Sequence, residues 1–297
     1  MIKVSAIGEC MVELSANDGC SLGFGGDTLN TALYMARLGV DVSYVTALGD
    51  DVFSQQMIDA WKLEGIKTDM VFRLPGRLPG LYAITTDDTG ERTFHYWRDR
   101  APVRELLLEG RDSKINDFLA TQNAVYLSGI TLSVLGESQR QRIFEMLKHA
   151  KNHGAKIAFD PNYRKAGWPE RDTARKWFDM LYSISDFAFP TLDDEQAMSP
   201  ELDSRLLRAR VAGLGAGEVV IKMGKRGCMI NDESIVPANT VNPVDTTAAG
   251  DSFNAAYLSA RLNGIDPTAA ATKANALSAT VIQHRGAIIP IESMPKI

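Results

Sequence analysis

The chain has 297 residues, of which 45% are hydrophobic, 23% charged and 8% aromatic, values close to those of globular proteins rather than collagenous or disordered chains. Lys and Arg total 32 against 37 Asp and Glu, and the net charge of −5 argues against nucleic acid or an anionic membrane as the main partner. The sequence shows no apolar run of the roughly 20 residues that a membrane helix needs, no signal-peptide pattern and no metal-ligand spacing among its three cysteines, so we expect a cytoplasmic protein.

Short apolar runs occur along the whole chain and predict buried strands. They are mostly continuous rather than alternating, which is typical of strands with both faces covered. The runs are Val4 to Ile7, Val42 to Leu48, Ala124 to Leu127, Ile157 to Phe159, Phe187 to Phe189 and Val219 to Ile221. Between them, apolar residues follow helical spacing, as at Ala174, Trp177, Phe178 and Leu181. The alternation predicts an α/β fold with a mostly parallel sheet flanked by helices.

The segment from Thr68 to Arg98 breaks this alternation, because it lacks helical spacing and is rich in strand-forming residues. Leu81 to Thr86 and Arg92 to Trp97 flank Asp87-Asp88-Thr89-Gly90, a sequence typical of a hairpin turn. A hairpin inserted between α/β units is a candidate lid over a site at the strand ends. The alternative is a surface hairpin without a role in the site.

The segment Asp245-Thr246-Thr247-Ala248-Ala249-Gly250-Asp251 leads into a helix predicted to run to about Leu262. Small residues at a helix start leave backbone N–H groups open and the helix dipole favours negative charge, so phosphate is a natural ligand. Asp251 is placed to act as the base for an attacking hydroxyl, while the Ala248, Ala249 and Gly250 amides bind the transferred phosphoryl group. The alternative is a carboxylate that only complements the helix dipole. Walker A and dinucleotide-binding motifs are lacking, which disfavours a P-loop or Rossmann enzyme.

This segment resembles the C-terminal signature of the ribokinase-like (PfkB) carbohydrate kinases, and the resemblance implies that Asp251 is the catalytic base. The family usually has glycine where Ala248 stands, and alanine restricts the backbone there. Gly25-Gly26-Asp27-Thr28-Leu29-Asn30 is similar to the N-terminal signature, which implies that Gly25, Gly26, Asp27 and Asn30 contact sugar hydroxyls. The same residues also fit a capped helix that begins at Asp27 or Thr28.

The two signatures stand in family order and together span nearly the whole chain. The resemblance implies one ribokinase-like α/β domain over residues 1–297, with a small β-sheet lid formed by about residues 10–24 and 68–98. It implies ATP and Mg²⁺ as cofactors and allows a monovalent cation. An exposed sheet edge on such a lid often finds a partner subunit, so we expect a homo-oligomer.

Further segments match the family's nucleotide side. Lys222-Met223-Gly224-Lys225-Arg226-Gly227 resembles its nucleotide loop, and we expect Lys222, Gly224, Lys225 and Gly227 to contact ATP, with a bare basic turn as the alternative. Asn162 and Asn275 are expected on the same side, Asn275 because it matches the helix that borders the adenine pocket. Where the family typically has Asn-x-x-Glu, which organises Mg²⁺ through water, this chain has Thr191-Leu192-Asp193-Asp194-Glu195. Either Asp194 or Glu195 can fill that role.

A sugar acid needs a cation in its site, preferably the fork of an arginine. Arg98 ends the second lid strand after Tyr96, and Arg164 lies just after a buried strand, where ligands bind in open α/β sheets. This arrangement is similar to the 2-keto-3-deoxygluconate kinases of the family, whose equivalent arginines read the substrate carboxylate, and Tyr82 matches a substrate-contacting tyrosine there.

We therefore expect ATP-dependent phosphorylation of the terminal (6-) hydroxyl of 2-keto-3-deoxygluconate, with Tyr96 among the sugar contacts. A fructokinase or another neutral-sugar or nucleoside kinase of the same family is the alternative. In that case Arg98 is a surface charge, or Arg164 binds only nucleotide phosphate.

Overall fold

The computed structural model describes residues 1–15, 21–86, 92–230 and 234–297. The predicted turn Asp87-Asp88-Thr89-Gly90 lies outside the described residues. The described α-helices are α1 (Asp27–Arg37), α2 (Val52–Leu63), α3 (Arg111–Leu119), α4 (Gly129–Val134), α5 (Glu137–Asn152), α6 (Arg171–Ile184), α7 (Leu192–Met198), α8 (Ser204–Gly213), α9 (Ala249–Leu262) and α10 (Pro267–Val281). None of these described helices combines the length and the apolar character needed to cross a bilayer.

The strands are mostly short. In chain order they are β1 (Lys3–Ile7), β2 (Met11–Ser15), β3 (Ser21–Gly25), β4 (Asp41–Gly49), β5 (Val71–Leu74), β6 (Leu81–Thr86), β7 (Arg92–Trp97), β8 (Ala124–Ser128), β9 (Lys156–Asp160), β10 (Phe187–Ala188), β11 (Glu218–Val219), β12 (Ile221–Lys222), β13 (Cys228–Met229) and β14 (Ile235–Val236). Short 3₁₀ helices cover Pro102–Glu105, Lys165–Gly167, Gly224–Arg226 and Ile291–Ser293.

Within the described residues, seven parallel strands form a central sheet in the order β11-β10-β9-β8-β1-β4-β5. From β1 the chain moves outward to β4 and β5, whereas from β8 it moves the other way to β9, β10 and β11. The order therefore reverses between β1 and β8, and the crevice at the carboxyl ends of two such strands is where open α/β sheets bind ligands. The predicted α/β fold with a parallel sheet is confirmed.

Both faces of the central sheet are buried in apolar cores. In β8, Val125 and Leu127 face the core covered by α3 to α8, and Ala124 and Tyr126 face the core covered by α1, α2, α9 and α10. Every residue of β8 is buried. Because neither face meets water, the strands can be apolar throughout, which explains the continuous apolar runs of the sequence.

A second sheet, here called the outer sheet, has the strand order β3-β2-β6-β7. Its register sets Glu13 beside Tyr82 and Tyr82 beside Tyr96, so the three side chains share one face. The range 68–98 was expected to belong to the lid, but β5 pairs instead with β4 at the edge of the central sheet. Leu74 of β5 packs into the core there, so the outer sheet takes only Leu81–Thr86 and Arg92–Trp97 from that range.

The run from Val219 to Ile221 was predicted as one strand and is divided in the structure. β11 belongs to the central sheet, and β12 begins an antiparallel sheet of the described strands β12-β13-β14. Backbone pairing continues past the division, since the N–H of Lys222 donates to the carbonyl oxygen of Pro190 at 2.8 Å. Lys222 is thereby carried to the carboxyl ends of the central strands.

The start of helix α4 packs tightly against the loop that follows β9. A substitution at Gly129 therefore tests the packing around the site. A Cβ added at Gly129 would clash with the carbonyl oxygen of Pro161 and lie 2.7 Å from Cε1 of Phe178. We expect Gly129→Ala to lower the free energy of unfolding by about 2–3 kcal/mol, as for other overpacked cores, measured by urea unfolding. Gly136→Ala is the control, because no described atom lies within 4 Å of a Cβ there. Equal losses in both variants would contradict this packing account.

Candidate active site

A pocket of about 130 Å³ opens where the strand order reverses. One wall is the inner face of the outer sheet, and the floor is the loop after β1 together with the first turns of α1 and α4. The pocket brings together most of the residues that the sequence predicted to bind the sugar. These are Gly26, Asp27, Asn30, Tyr82, Tyr96 and Arg98.

The glycine pair at the start of α1 is required by close packing. A Cβ added at Gly25 would lie 2.5 Å from the hydroxyl oxygen of Tyr82, and one at Gly26 would clash with the carbonyl oxygen of Glu9. The helix begins at Asp27, as the capped-helix alternative expected, but its N-cap is Gly26 and no side chain caps it. The geometry therefore places Gly25 and Gly26 beside the pocket through their backbone.

Asp27 points its carboxylate toward the loop after β9. Its Oδ2 accepts a hydrogen bond from Nδ2 of Asn162 at 2.8 Å, and its Oδ1 accepts one from the N–H of Thr28 at 2.8 Å. Burial raises the pKa of Asp27. Asn162 was expected on the nucleotide side, but its amide orients a carboxylate of the sugar pocket, because the loop after β9 crosses the start of α1.

Asp251 lies in the first turn of α9 and is buried. Its Oδ2 accepts a hydrogen bond from Nδ2 of Asn30, a pocket residue, at 2.8 Å. Burial and the nearby charge of Asp27 raise the pKa of Asp251 to about 8, although the Asn30 donor and Lys222 act in the opposite direction. A carboxylate with such a pKa is suited to accept a proton from a hydroxyl near neutral pH.

The start of α9 forms an anion cradle, meaning the backbone amides of residues 248–251. The first intrahelical hydrogen bond runs from the N–H of Ser252 to the carbonyl oxygen of Ala248 at 2.9 Å, so the preceding amides have no helical acceptor. The Ala249 amide donates to the carbonyl oxygen of Thr246 at 3.2 Å. Of the three amides predicted to bind phosphate, Ala249 is therefore engaged in its own turn, which leaves those of Ala248 and Gly250 better placed.

Ala248 has the left-handed backbone conformation, with φ 60° and ψ 15°. Glycine adopts this conformation freely, whereas for alanine it costs roughly 1–2 kcal/mol. Asn162 also has a positive φ, of 34°. A positive φ thus occurs both at the residue that precedes α9 and at the residue that donates to Asp27, and such backbone conformations concentrate at functional sites.

Lys222 lies beside the anion cradle but is not a free surface cation. Its side chain is 10% exposed, and its Nζ donates to Oδ2 of Asp160 at 2.6 Å. The same carboxylate oxygen accepts a hydrogen bond from Nδ2 of Asn254 at 2.6 Å. A Cβ added at Gly250 would lie 3.4 Å from Nζ of Lys222. The predicted position next to phosphate is compatible with this geometry, while part of the lysine charge is neutralised by Asp160.

The other residues expected on the nucleotide side lie in two places. Gly224 and Gly227 form the turn after β12 with φ of 56° and 89°, and Lys225 between them is exposed. Asn275 is buried, and its amide donates to the carbonyl oxygens of Val236 and Pro237 at 3.2 and 3.0 Å. These bonds tie α10 to the end of β14, and the place of Asn275 on the nucleotide side stays a prediction.

Asp194 and Glu195 face in different directions. Nη1 of Arg164 lies 3.1 and 3.2 Å from the two carboxylate oxygens of Asp194, and this pair sits at the rim rather than in the described pocket lining. Glu195 is 1% exposed and accepts a hydrogen bond from the Tyr182 hydroxyl at 2.6 Å. Burial raises the pKa of Glu195. Glu195 as a Mg²⁺-organising residue is therefore wrong, because it points into the core, and Asp194 is the candidate that stays.

Sequence reasoning missed several residues of this site. Glu9, Met11, Phe94 and Ile130 also line the pocket. Glu9 lies two residues after the end of β1. The rule that singled out Arg164, namely a position just after a buried strand, could therefore have found it. Phe94 lies two residues before Tyr96 on the same strand face, which period-two alternation indicates.

Comparison with known proteins gives a family match over nearly the whole chain. The sequence model described as "pfkB family carbohydrate kinase" matches residues 1–294. A 2-dehydro-3-deoxygluconokinase of Dickeya dadantii (strain 3937) is 45% identical over 99% of this chain and 98% of its own length. One of Escherichia coli (strain K12) is 43% identical over 99% of both. A fructokinase-1 of Oryza sativa subsp. japonica is more distant, at 29% identity over 79% of this chain and 72% of its own length.

Solved structures share the fold. A 2-dehydro-3-deoxygluconokinase of Thermotoga maritima superposes with a TM-score of 0.85 at 21% identity, covering 99% of this chain and 98% of its own. A protein of E. coli provisionally named ribokinase II, solved with ATP and Mg²⁺, has a TM-score of 0.83 at 23% identity and covers 99% and 96%. At these identities the likeness establishes the ribokinase-like fold.

The raised pKa of Asp251 can be tested through its two neighbours. Asp27→Asn removes a negative charge that raises this pKa and should lower it, whereas Asn30→Ala removes a donor to the carboxylate and should raise it. ¹³C NMR titration of the aspartate carboxyl carbons measures both shifts, and the resonance lost in Asp251→Asn identifies the group. Shifts in the same direction in the two variants would contradict this electrostatic account.

Proposed function

The chain belongs to the pfkB family of carbohydrate kinases, and on this premise we propose that it transfers the γ-phosphoryl group of ATP to the terminal (6-) hydroxyl of 2-keto-3-deoxygluconate. The observation that carries the proposal is the pocket in which Arg98, suited to a carboxylate, shares a lining with Asn30, the residue bonded to Asp251. The relatives named for this activity, at 43–45% identity over 99% of the chain, support it.

The pocket suits a sugar that is acidic at one end. Asp27 and Asn30 offer a hydrogen-bond acceptor and an amide to hydroxyl groups on the floor, while Tyr82 and Tyr96 offer flat apolar faces on the opposite wall. Arg98 provides a positive charge within the same lining. Arg98 also pairs with Glu9 of the same lining, and the guanidinium donors that this pair leaves over suit a carboxylate rather than a neutral hydroxyl, which supports a sugar acid over the fructokinase alternative.

In the proposed reaction, Asp251 accepts the proton of the 6-hydroxyl as its oxygen forms a bond to the γ-phosphorus. The bond from that phosphorus to the bridging oxygen of ATP breaks, and ADP leaves with the electron pair. The Ala248 and Gly250 amides of the anion cradle, together with Lys222, stabilise the negative charge of the transferred group. The outer sheet acts as a lid that keeps out water, which competes as an acceptor.

The residues present fit ATP with Mg²⁺. Lys222 and the open amides at the start of α9 suit phosphate oxygens. Across the described parts of the chain no group of three His, Cys, Asp or Glu side chains could hold a metal ion. Magnesium held mainly by nucleotide phosphates and water, with Asp194 contacting that water, matches this donor set. When bound, it neutralises charge on the β- and γ-phosphates.

Three further expectations are part of this proposal. A cytoplasmic location would give access to ATP. A homo-oligomer is supported by large apolar side chains exposed on the outer sheet, among them Leu22 at 55% and Trp97 at 62% exposure. Analytical ultracentrifugation tests the oligomer, and comparison of potassium with tetramethylammonium salts in the kinase assay tests the use of a monovalent cation.

Asp251→Asn tests the catalytic base. We expect turnover of 2-keto-3-deoxygluconate to fall about 10²- to 10⁴-fold or more in a coupled ATP assay, because the amide cannot accept the proton. Calorimetric affinity for the sugar acid should change little, since the shape of the site is kept. Asp266→Asn is the control, because Asp266 caps α10 through a carboxylate oxygen that asparagine also supplies. Near-normal turnover in Asp251→Asn would rule out this mechanism.

The two arginines test the choice of substrate. We expect Arg98→Leu to raise the KM for the keto acid about 10- to 100-fold, since a hydrogen-bonded charge contact is lost, and to leave fructose phosphorylation unimpaired. Arg164→Leu should also reduce keto-acid phosphorylation selectively if it binds the carboxylate. Coupled assays over the keto acid, fructose, ribose and a nucleoside measure both. Equal losses on neutral sugars in Arg164→Leu would assign that arginine to the nucleotide instead.

A further inference from the structure

Glu9 is a buried carboxylate that has no part in the proposed phosphoryl transfer. It lies two residues after the end of β1, and its side chain, 3% exposed, forms an ion pair with Arg98. Burial raises the pKa of Glu9 to about 7, while the charge of Arg98 lowers it. An ionised carboxylate at this depth is stable only beside a cation, so the two side chains hold each other in place.

Arg98 reaches this pair from the outer sheet. It follows the last residue of β7, and strand alternation puts it on the same face as Tyr96, whose ring centroid lies 5.9 Å from the guanidinium carbon. An arginine without a partner can extend its charged end into solvent. The contact with Glu9 is made through one guanidinium nitrogen, Nη2. Because a guanidinium carries five N–H donors in a planar fork, this leaves donors for a ligand, among them the buried Nε, which has no partner in the described residues.

The backbone leaves room for this arrangement at Gly80. A Cβ added there would lie 3.0 Å from Oε1 of Glu9 and 3.3 Å from Cβ of Arg98. Gly80 immediately precedes β6, so the outer sheet passes over the ion pair without a side chain between them. The pair is therefore enclosed between the floor of the pocket and the outer sheet, and its position is defined from both sides.

We propose that Glu9 is a positioning residue, which holds the guanidinium of Arg98 so that its free donors face the carboxylate of a sugar acid and the enzyme selects acidic over neutral sugars. The inference rests on the proposed function. Glu9 acts through Arg98 and lies apart from the anion cradle, so its loss acts on KM for the sugar acid more than on kcat.

Steady-state kinetics of Glu9→Ala and Glu9→Gln test this role. We expect Glu9→Ala to raise the KM for 2-keto-3-deoxygluconate about 10- to 100-fold, with less than about threefold changes in kcat and in the KM for ATP. Glu9→Gln keeps an oxygen that accepts from Arg98, so its KM should rise less. The control is Glu64→Gln, because Glu64 forms a similar ion pair with Arg37 at 2.6 Å near the far end of α1.

A double-mutant cycle separates positioning from general packing. In an Arg98→Ala background, Glu9→Ala should change the KM for the sugar acid by less than about threefold, because the residue it positions is already absent. Gly80→Ala displaces the pair without changing any charge, so it should raise the KM for the sugar acid as well. This variant also tests the inference if Glu9→Ala does not fold. Equal effects of Glu9→Ala with and without Arg98, or an equal rise in the KM for fructose, would overturn the inference.

The same measurements separate this inference from the proposed function. If the wild-type protein fails to phosphorylate the keto acid, the proposed function is wrong. If it does phosphorylate the keto acid but Glu9→Ala behaves like the Glu64→Gln control, only the role of Glu9 is wrong.

Discussion

Two buried carboxylates, Asp160 and Asp251, meet the half-buried Asp27 at the carboxyl ends of the central strands, and the site depends on holding the three together against their mutual repulsion. Each accepts a hydrogen bond from an asparagine, in the pairs Asp251 with Asn30, Asp27 with Asn162, and Asp160 with Asn254. An amide orients a carboxylate without adding a charge, whereas Lys222 adds its charge at Asp160. The repulsion that remains is one reason why the pKa of Asp251 lies above that of an ordinary aspartate.

The sequence revealed those parts of the site whose chemistry lies within a few neighbouring residues. Asp251 at a helix start and the Gly25-Gly26-Asp27 turn are of this kind, and both lie where the motifs indicate. The partners of these residues come from distant parts of the chain: Asn30 and Asp251 are 221 positions apart, and Asn162 and Asp27 are 135 apart. Spacing along the chain carries no information on such pairs, which explains why Asn162 was expected beside the nucleotide.

Strand patterns likewise predict which segments are extended but not which sheet they join. Val71–Leu74 is rich in strand-forming residues, as the strands of the outer sheet are, yet it pairs with β4 at the edge of the central sheet, where Leu74 enters the core. The resemblance to the family pointed to Tyr82, and the position of Tyr96 near the end of the second lid strand, beside Arg98, made it a candidate. Only the register shows that Glu13 stands beside Tyr82 and accepts a hydrogen bond from its hydroxyl.

Strand β3 ends at Gly25, and the next residue, Gly26, is already the N-cap of α1. The outer sheet is thus connected directly to the turn at Gly26 and Asp27, without an intervening loop that would let the two move independently. In the proposed function, closure of the outer sheet over the pocket would therefore also move Asp27 and Asn30 in the first turn of α1. Entry of a substrate would then change the shape of the turn that recognises it.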